Sequence, residues 1–205
     1  MRNAMTVLAL AGAASVAAAQ STVYFSDFEA DGGGWTASGV NGDWERGIPV
    51  GADGSALGGS ASSEPVGGFS GDFVWGTGIG ALHGVGSDEQ LSQNFDFTGL
   101  TDISMSFQEW SDSGSSAFDM ASVIVNGDQL YLSDGNSMDA WREVVLDLNA
   151  YAGQSSVDIT FNFTSTTVVE RTGWYIDDVE ITAVPAPASL ALLGLGGLAA
   201  ARRRR

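Results

Sequence analysis

Apolar and polar residues alternate along several stretches of the chain. In VDITFNFT (157–164), Val157, Ile159, Phe161 and Phe163 fall on one side, and Asp158, Thr160, Asn162 and Thr164 on the other. A two-residue period is the mark of a strand with one buried face. DISMSFQEW repeats it, with Ile103, Met105 and Phe107 inward. ASVIVNGDQLYLS reads as two strands turning at Asn126-Gly127, a dipeptide suited to a tight hairpin turn. Further strands are expected over 22–28, 90–97, 141–148 and 174–182, and no part of the core carries a sustained helical period. Many short strands separated by Gly, Asp and Ser turns predict an all-β fold, an antiparallel β-sandwich of the jelly-roll kind.

One region breaks the alternation. Residues 51–86 are about one-third glycine, with little apolar content before Phe73-Val74-Trp75. Long surface loops around a short strand at 72–76 are expected there. Such loops either carry recognition or act as spacers.

The two ends read as address segments. Residues 1–19 have Arg2, an apolar stretch 7–14 and Ala17-Ala18-Ala19, the plan of a secretory signal peptide. At the other end Pro185-Ala186-Pro187 leads into an apolar run, 188–201, closed by Arg202, Arg203, Arg204 and Arg205. That run is shorter than the roughly 20 residues of a spanning helix. Proline motif, small-residue apolar helix and arginine cluster over 184–205 resemble the PEP-CTERM sorting signal, with Pro-Ala-Pro standing where Pro-Glu-Pro is usual. The resemblance implies export, transient membrane insertion of the C-terminal helix, and an exosortase-type processing enzyme as a partner. The remaining 21–182 is the size of one domain.

Charge narrows the partners. The chain carries −17, and it has no lysine and no cysteine. Only Arg46, Arg142 and Arg171 lie between the end segments, against all 25 acids. Clustered Lys or Arg is needed to hold a phosphate backbone, so nucleic acid is excluded as a partner. Most of the acids read as a solvated, salt-tolerant surface. Without disulfides, stability must come from packing or a bound metal.

The edges of the core carry a second resemblance. Phe28-Glu29 near the start, Asp43-Trp44-Glu45-Arg46, Phe73-Val74-Trp75-Gly76-Thr77, Tyr151-Ala152-Gly153 and Ile176-Asp177-Asp178-Val179 near the end stand in this order. Together they resemble the MAM domain and the bacterial choice-of-anchor J and cleaved-adhesin modules, in a disulfide-free form. The resemblance implies a jelly roll whose first and last strands lie side by side. It also implies a structural calcium ion there, with Glu29 and Asp178 as ligands and Asp27 and Asp177 as weaker candidates. Hard carboxylate oxygens suit that cation. With His83 as the single histidine, transition-metal chemistry has no ligand set.

No catalytic site is expected. His83 lies in a glycine-rich loop with no serine-elbow motif, which offers little to a nucleophile triad. Most of the six tryptophans are expected in the core, and Trp75, beside the glycine-rich loop, is the best candidate for stacking on a sugar. The expected function is a non-catalytic, exported, surface or matrix module for adhesion or ligand binding, with extracellular polysaccharide or surface proteins as partners. The alternatives are a carbohydrate-binding module proper and a small secreted glycoside hydrolase using paired carboxylates. Intact-mass measurement of the mature protein from its native host is expected to show a chain ending near Pro187. A mature chain that retains Arg202–Arg205 would replace sorting and cleavage with a permanent tail.

Overall fold

The computed structural model describes residues 19–58, 63–114, 117–135 and 140–186. The body of the signal segment, Pro187 and the terminal arginines lie outside them, as does the expected C-terminal helix. No helix among the described residues is long and apolar enough to cross a membrane.

Two antiparallel sheets face each other. The first holds β3 (Trp44–Gly47), β4 (Val74–Thr77), β11 (Gly173–Pro185), β6 (Leu100–Asp112) and β9 (Arg142–Asp147), in that order, with β1 (Ser21–Ser26) also against β11. The second holds β2 (Thr36–Gly39), β5 (Asp88–Phe95), β10 (Val157–Thr164), β7 (Met120–Val125) and β8 (Asp128–Leu132). From β4 onward every connection crosses between the sheets except the β7–β8 hairpin at Asn126-Gly127. The resulting orders, β4-β11-β6-β9 and β5-β10-β7-β8, are those of an eight-stranded jelly roll.

The alternation in the sequence becomes the core. Val157, Ile159, Phe161 and Phe163 of β10 are fully buried, as are Met105 and Phe107 of β6. Phe161 sits at the centre, its ring 5.0 Å from Phe107, 5.0 Å from Trp35 and 5.6 Å from Trp174. Edge-to-face packing of this kind adds to the stabilisation from burial.

The first and last strands do lie together. β1 pairs antiparallel with β11 from Ser21↔Ala183 to Ser26↔Val179, and β4 pairs with β11 at Tyr175 and Ile176. β1 and β4 therefore share one edge of β11, while β6 occupies the other. The register of β11 against β6 shifts between Asp177 and Glu180, and Asp178 within that shift has φ +46°. This bulge lets two consecutive acids serve the same region instead of alternating across the sheet.

Three elements were not legible as regular structure. β2 is four exposed residues, TASG, with no buried face to impose a period. β3 is only WERG, and Asn149–Tyr151 forms a short 3-10 turn. The glycine-rich region contains the expected short strand, but residues 48–58 and 63–73 are not a free spacer. Isolated bridges Val50–Val66 and Asp53–Ser63 fold the segment on itself. It meets the outer side of the first sheet, where Glu64 reaches the fully buried Tyr175.

Phe161→Ala is expected to cost about 3–5 kcal/mol, the usual range for truncating a large buried aromatic. Phe25→Ala, at a residue 54% exposed, should change stability by no more than about 0.5 kcal/mol. Urea unfolding followed by circular dichroism reads both.

Candidate functional site

The end of β1 runs past Ser26 into Asp27, Phe28 and Glu29 beside the bulge of β11. Two of the four non-glycine residues with positive φ among the described residues meet here, Phe28 (φ 58°) and Asp178 (φ 46°). Such backbone persists only where surrounding contacts hold it. Arg46 supplies part of that hold: its Nε donates to the Phe28 carbonyl at 2.7 Å and its Nη2 to the Glu29 carbonyl at 2.9 Å. The same guanidinium lies 3.9 Å over the Phe73 ring.

The carboxylates of this corner face the loop that precedes β4. Glu29 Oε1 accepts from the amides of Asp72 (2.8 Å) and Phe73 (2.7 Å). Asp177 Oδ2 accepts from Ser70 N (3.1 Å), and Asp177 Oδ1 from Asp178 N (2.7 Å). Asp178 Oδ1 accepts from the Ser70 hydroxyl at 2.6 Å, and Asp27 Oδ1 from Glu29 N at 3.2 Å. Gly71, at φ +62°, lies close against the Glu29 carboxylate, where a side chain would collide. Burial pushes the Asp177 carboxyl up to about 7, against the lowering effect of its amide bonds. Burial also raises Asp178, with Asp27 and Glu29 adding to it as neighbouring negative charges.

Structure thus brings Asp27, Glu29 and Asp178 within electrostatic reach of one another and commits Asp177 to loop amides. Among the described residues no group of three or more His, Asp or Glu side chains is assembled as a metal site. The donor chemistry suits a hard cation, because three carboxylates at one corner offer hard oxygen donors.

Among the described residues, six acids stand apart from the partly or fully exposed majority. Glu64, Glu89, Glu109, Asp112, Asp119 and Asp177 are all buried. Glu89 accepts from the amides of Asn41, Gly42 and Asp43. Glu64 accepts from Val50, Ala52 and Gly80. Asp112 binds Thr172 and Arg171, and Asp119 binds the Thr166 amide. Glu109 takes Tyr131, Arg142 and the Trp174 indole N–H at once.

His83 is fully buried. Its Nε2 accepts from Arg171 N at 3.1 Å, so Nδ1 carries the proton and donates to the Gly84 carbonyl at 3.0 Å. Both nitrogens serve backbone groups, and the ring joins two loops.

The expectation for Trp75 is corrected. Its side chain is only 9% exposed, and its indole N–H donates to the Gly32 carbonyl at 3.1 Å, so the ring is part of the core. Trp35, Trp44 and Trp174 are buried as well. The accessible tryptophans are Trp110 and Trp141, both half-buried. The alternation contains this signal: with Ile103, Met105 and Phe107 inward on β6, Trp110 falls on the opposite parity. With Val144 and Leu146 inward on β9, so does Trp141. Their rings lie 6.0 Å apart at 66°, and Phe69, 51% exposed, meets Trp141 at 6.4 Å.

Comparison with known proteins agrees with parts of this picture. Residues 183–205 match the PEP-CTERM protein-sorting motif, which marks the chain as exported and directed to the cell surface. Bacillopeptidase F of Bacillus subtilis (strain 168) is 30% identical over 166 residues, 78% of this chain and 10% of that protein. The chain thus spans only about a tenth of that relative's length. Among solved structures, the K1 cleaved adhesin domain of Lys-gingipain from Porphyromonas gingivalis W83 is similar with a TM-score of 0.49 and 17% identity, over 78% of this chain and 97% of that one. TmCBM61, solved with β-1,4-galactotriose, is similar with a TM-score of 0.48 and 14% identity, over 72% and 86%.

The raised Asp177 sets a pH dependence. Its carboxyl stays protonated in the fold up to about pH 7, whereas in the unfolded chain it ionises near 4. The folded state holds more protons between those values, so this group's contribution falls as pH rises from about 4 to about 7 and is level above. In chelator, Asp177→Asn is expected to remove that part of the slope. Thermal melts of both proteins from pH 4 to 8 check it, and parallel curves would refute the assignment.

Proposed function

We propose that this chain is an exported, non-catalytic binding module of the cell surface or extracellular matrix, processed by an exosortase-type enzyme, with polysaccharide as its ligand. The observation that carries the reading is the Phe69–Trp141–Trp110 cluster, three aromatic rings left partly open on the outside of an otherwise well-filled sandwich. Aromatic side chains supply large, rigid contact area for recognition. The buried acids and His83 support a non-catalytic reading, since each is engaged in holding backbone or core groups. The C-terminal sorting motif supports a place of work outside the cell. A glycan array with the purified domain tests the proposal: binding that Trp141→Ala abolishes supports it. Release of reducing sugar from any polysaccharide would instead favour the hydrolase.

A structural calcium ion at the Asp27, Glu29 and Asp178 corner is a second reading, favoured by the rise of the Asp178 carboxyl through burial and, after it, the neighbouring negative charges of Asp27 and Glu29. These three side chains would hold the ion, and it would tie the end of β1 to the bulge of β11. Calcium at one hundred times its dissociation constant would then stabilise the fold by about 2.7 kcal/mol. The melting temperature should rise with calcium more than with sodium of equal ionic strength. Asp27→Asn and Asp178→Asn should blunt that rise, and Asp158→Asn, on the outer face of the second sheet, should not. An equal effect of sodium would reduce the corner to charges that salt screens.

A further inference from the structure

The outer face of the first sheet continues from the aromatic cluster in ordered rows. Cross-strand partners share a face, and the registers place Gln108 beside Glu143, Ser106 beside Val145 and Glu180, and Ser104 beside Asp147 and Thr182. Glu143, Val145 and Asp147 are exposed, and Ser104, Ser106 and Gln108 half-buried. The rows end in a shallow depression of about 390 Å³, lined by Gln20, Asp102, Ser104, Val145, Asp147 and Asn149. From Trp110 to Ser104 the track runs roughly 20 Å, at about 3.3 Å per residue.

Its charge has one sign. Glu143, Asp147, Asp102 and Glu180 lie along it, and the three arginines of the domain are engaged elsewhere. Arg142 turns to Glu109 and Asp134, Arg46 to the carbonyls of Phe28 and Glu29, and Arg171 to Asp112. The centre of the track holds Gln108 and Ser106, with the exposed Val145 beside Ser106. A protein interface is built around an apolar centre, whereas here Val145 is the single apolar side chain in the middle rows and the aromatic rings stand at one end. A face with rings at one end, hydrogen-bonding groups along the middle and carboxylates at the margin suits a chain of sugar rings bearing positive charge.

We propose that this face binds a linear amino-sugar polysaccharide with free amines. One sugar stacks on Trp141, ring hydroxyls meet Gln108, Ser106 and Ser104, and ammonium groups pair with Glu143 and Asp147. A cation near an indole face gains further attraction. This inference rests on the polysaccharide-binding reading above and narrows it to a ligand class and a face.

Titration calorimetry at pH 6 with three hexamers tests it: β-1,4-linked glucosamine, its N-acetylated form, and the β-1,4-glucose hexamer. The glucosamine hexamer is expected to bind at least tenfold more tightly than the other two, and to weaken between 50 and 300 mM salt. Trp141→Ala should weaken it at least tenfold. Glu143→Gln, which leaves the aromatic cluster intact, should weaken it several-fold, and Asp158→Asn on the opposite sheet should leave it unchanged. Equal loss from Asp158→Asn and Glu143→Gln would mean general attraction to an acidic surface and overturn the proposal. Equal affinity for all three hexamers, still lost in Trp141→Ala, would overturn the amine class while leaving the polysaccharide-binding module standing. Binding of polylysine through Trp141, with none of the hexamers bound, would overturn both in favour of a basic polypeptide partner.

Discussion

The bond between a buried carboxylate and backbone amides holds the loops of this domain. The sandwich itself needs no such device, because β6, β10 and β11 fill it with aromatic and branched side chains. The long connections are different: they bring unpaired amides against the sheets, and those amides must find acceptors. With three arginines, no lysine and no disulfide in the domain, carboxylates take that part. Glu89 gathers residues 41–43, Glu64 gathers Val50, Ala52 and Gly80, and Glu29 and Asp177 gather residues 70–73. Buried Glu89 and Glu64 are kept by hydrogen bonds from backbone amides, which lowers the cost of leaving water.

That arrangement places the surface features. Residues 63–73 are held to the first sheet through Glu64, Asp177 and Asp178, and also by the Trp110 indole N–H on the Ser63 carbonyl at 3.0 Å. Phe69 reaches Trp141 because its neighbour Ser70 is fixed from below. The Phe69 side of the aromatic cluster therefore belongs to a held loop, and its position depends on acids that lie beneath it. Arg46 completes the corner by occupying the two carbonyls that strained backbone at Phe28 leaves open.

Much of this architecture was legible in the sequence. Period-two alternation located β5, β6, β7 to β10 and β11, because a strand buried on one face writes that pattern directly. The pairing of first and last strands followed from a family resemblance. β2 escaped because its four residues are all exposed, and β3 because four residues are too few to display a period. The burial of acids escaped because a carboxylate that caps a loop and one that faces water look alike in composition. Trp75 was misjudged by its neighbours: glycines suggested a surface, yet the same glycines let the Tyr175 ring pack against Gly76 in the adjoining strand. Trp110 and Trp141 could have been found by carrying the parity of β6 and β9 to their ends.

The pairing of β11 also has a mechanical meaning. β11 is the strand nearest the sorting segment, and over its 13 residues it is bonded to β6 on one edge and to β4 and β1 on the other. Tension applied beyond Pro185, against a load held elsewhere on the domain, would run along this strand. Antiparallel hydrogen bonds lie across the strand direction, so such a pull strains many of them together in shear rather than peeling them one by one. A module attached at that end would meet drag with a 13-residue strand flanked on both edges.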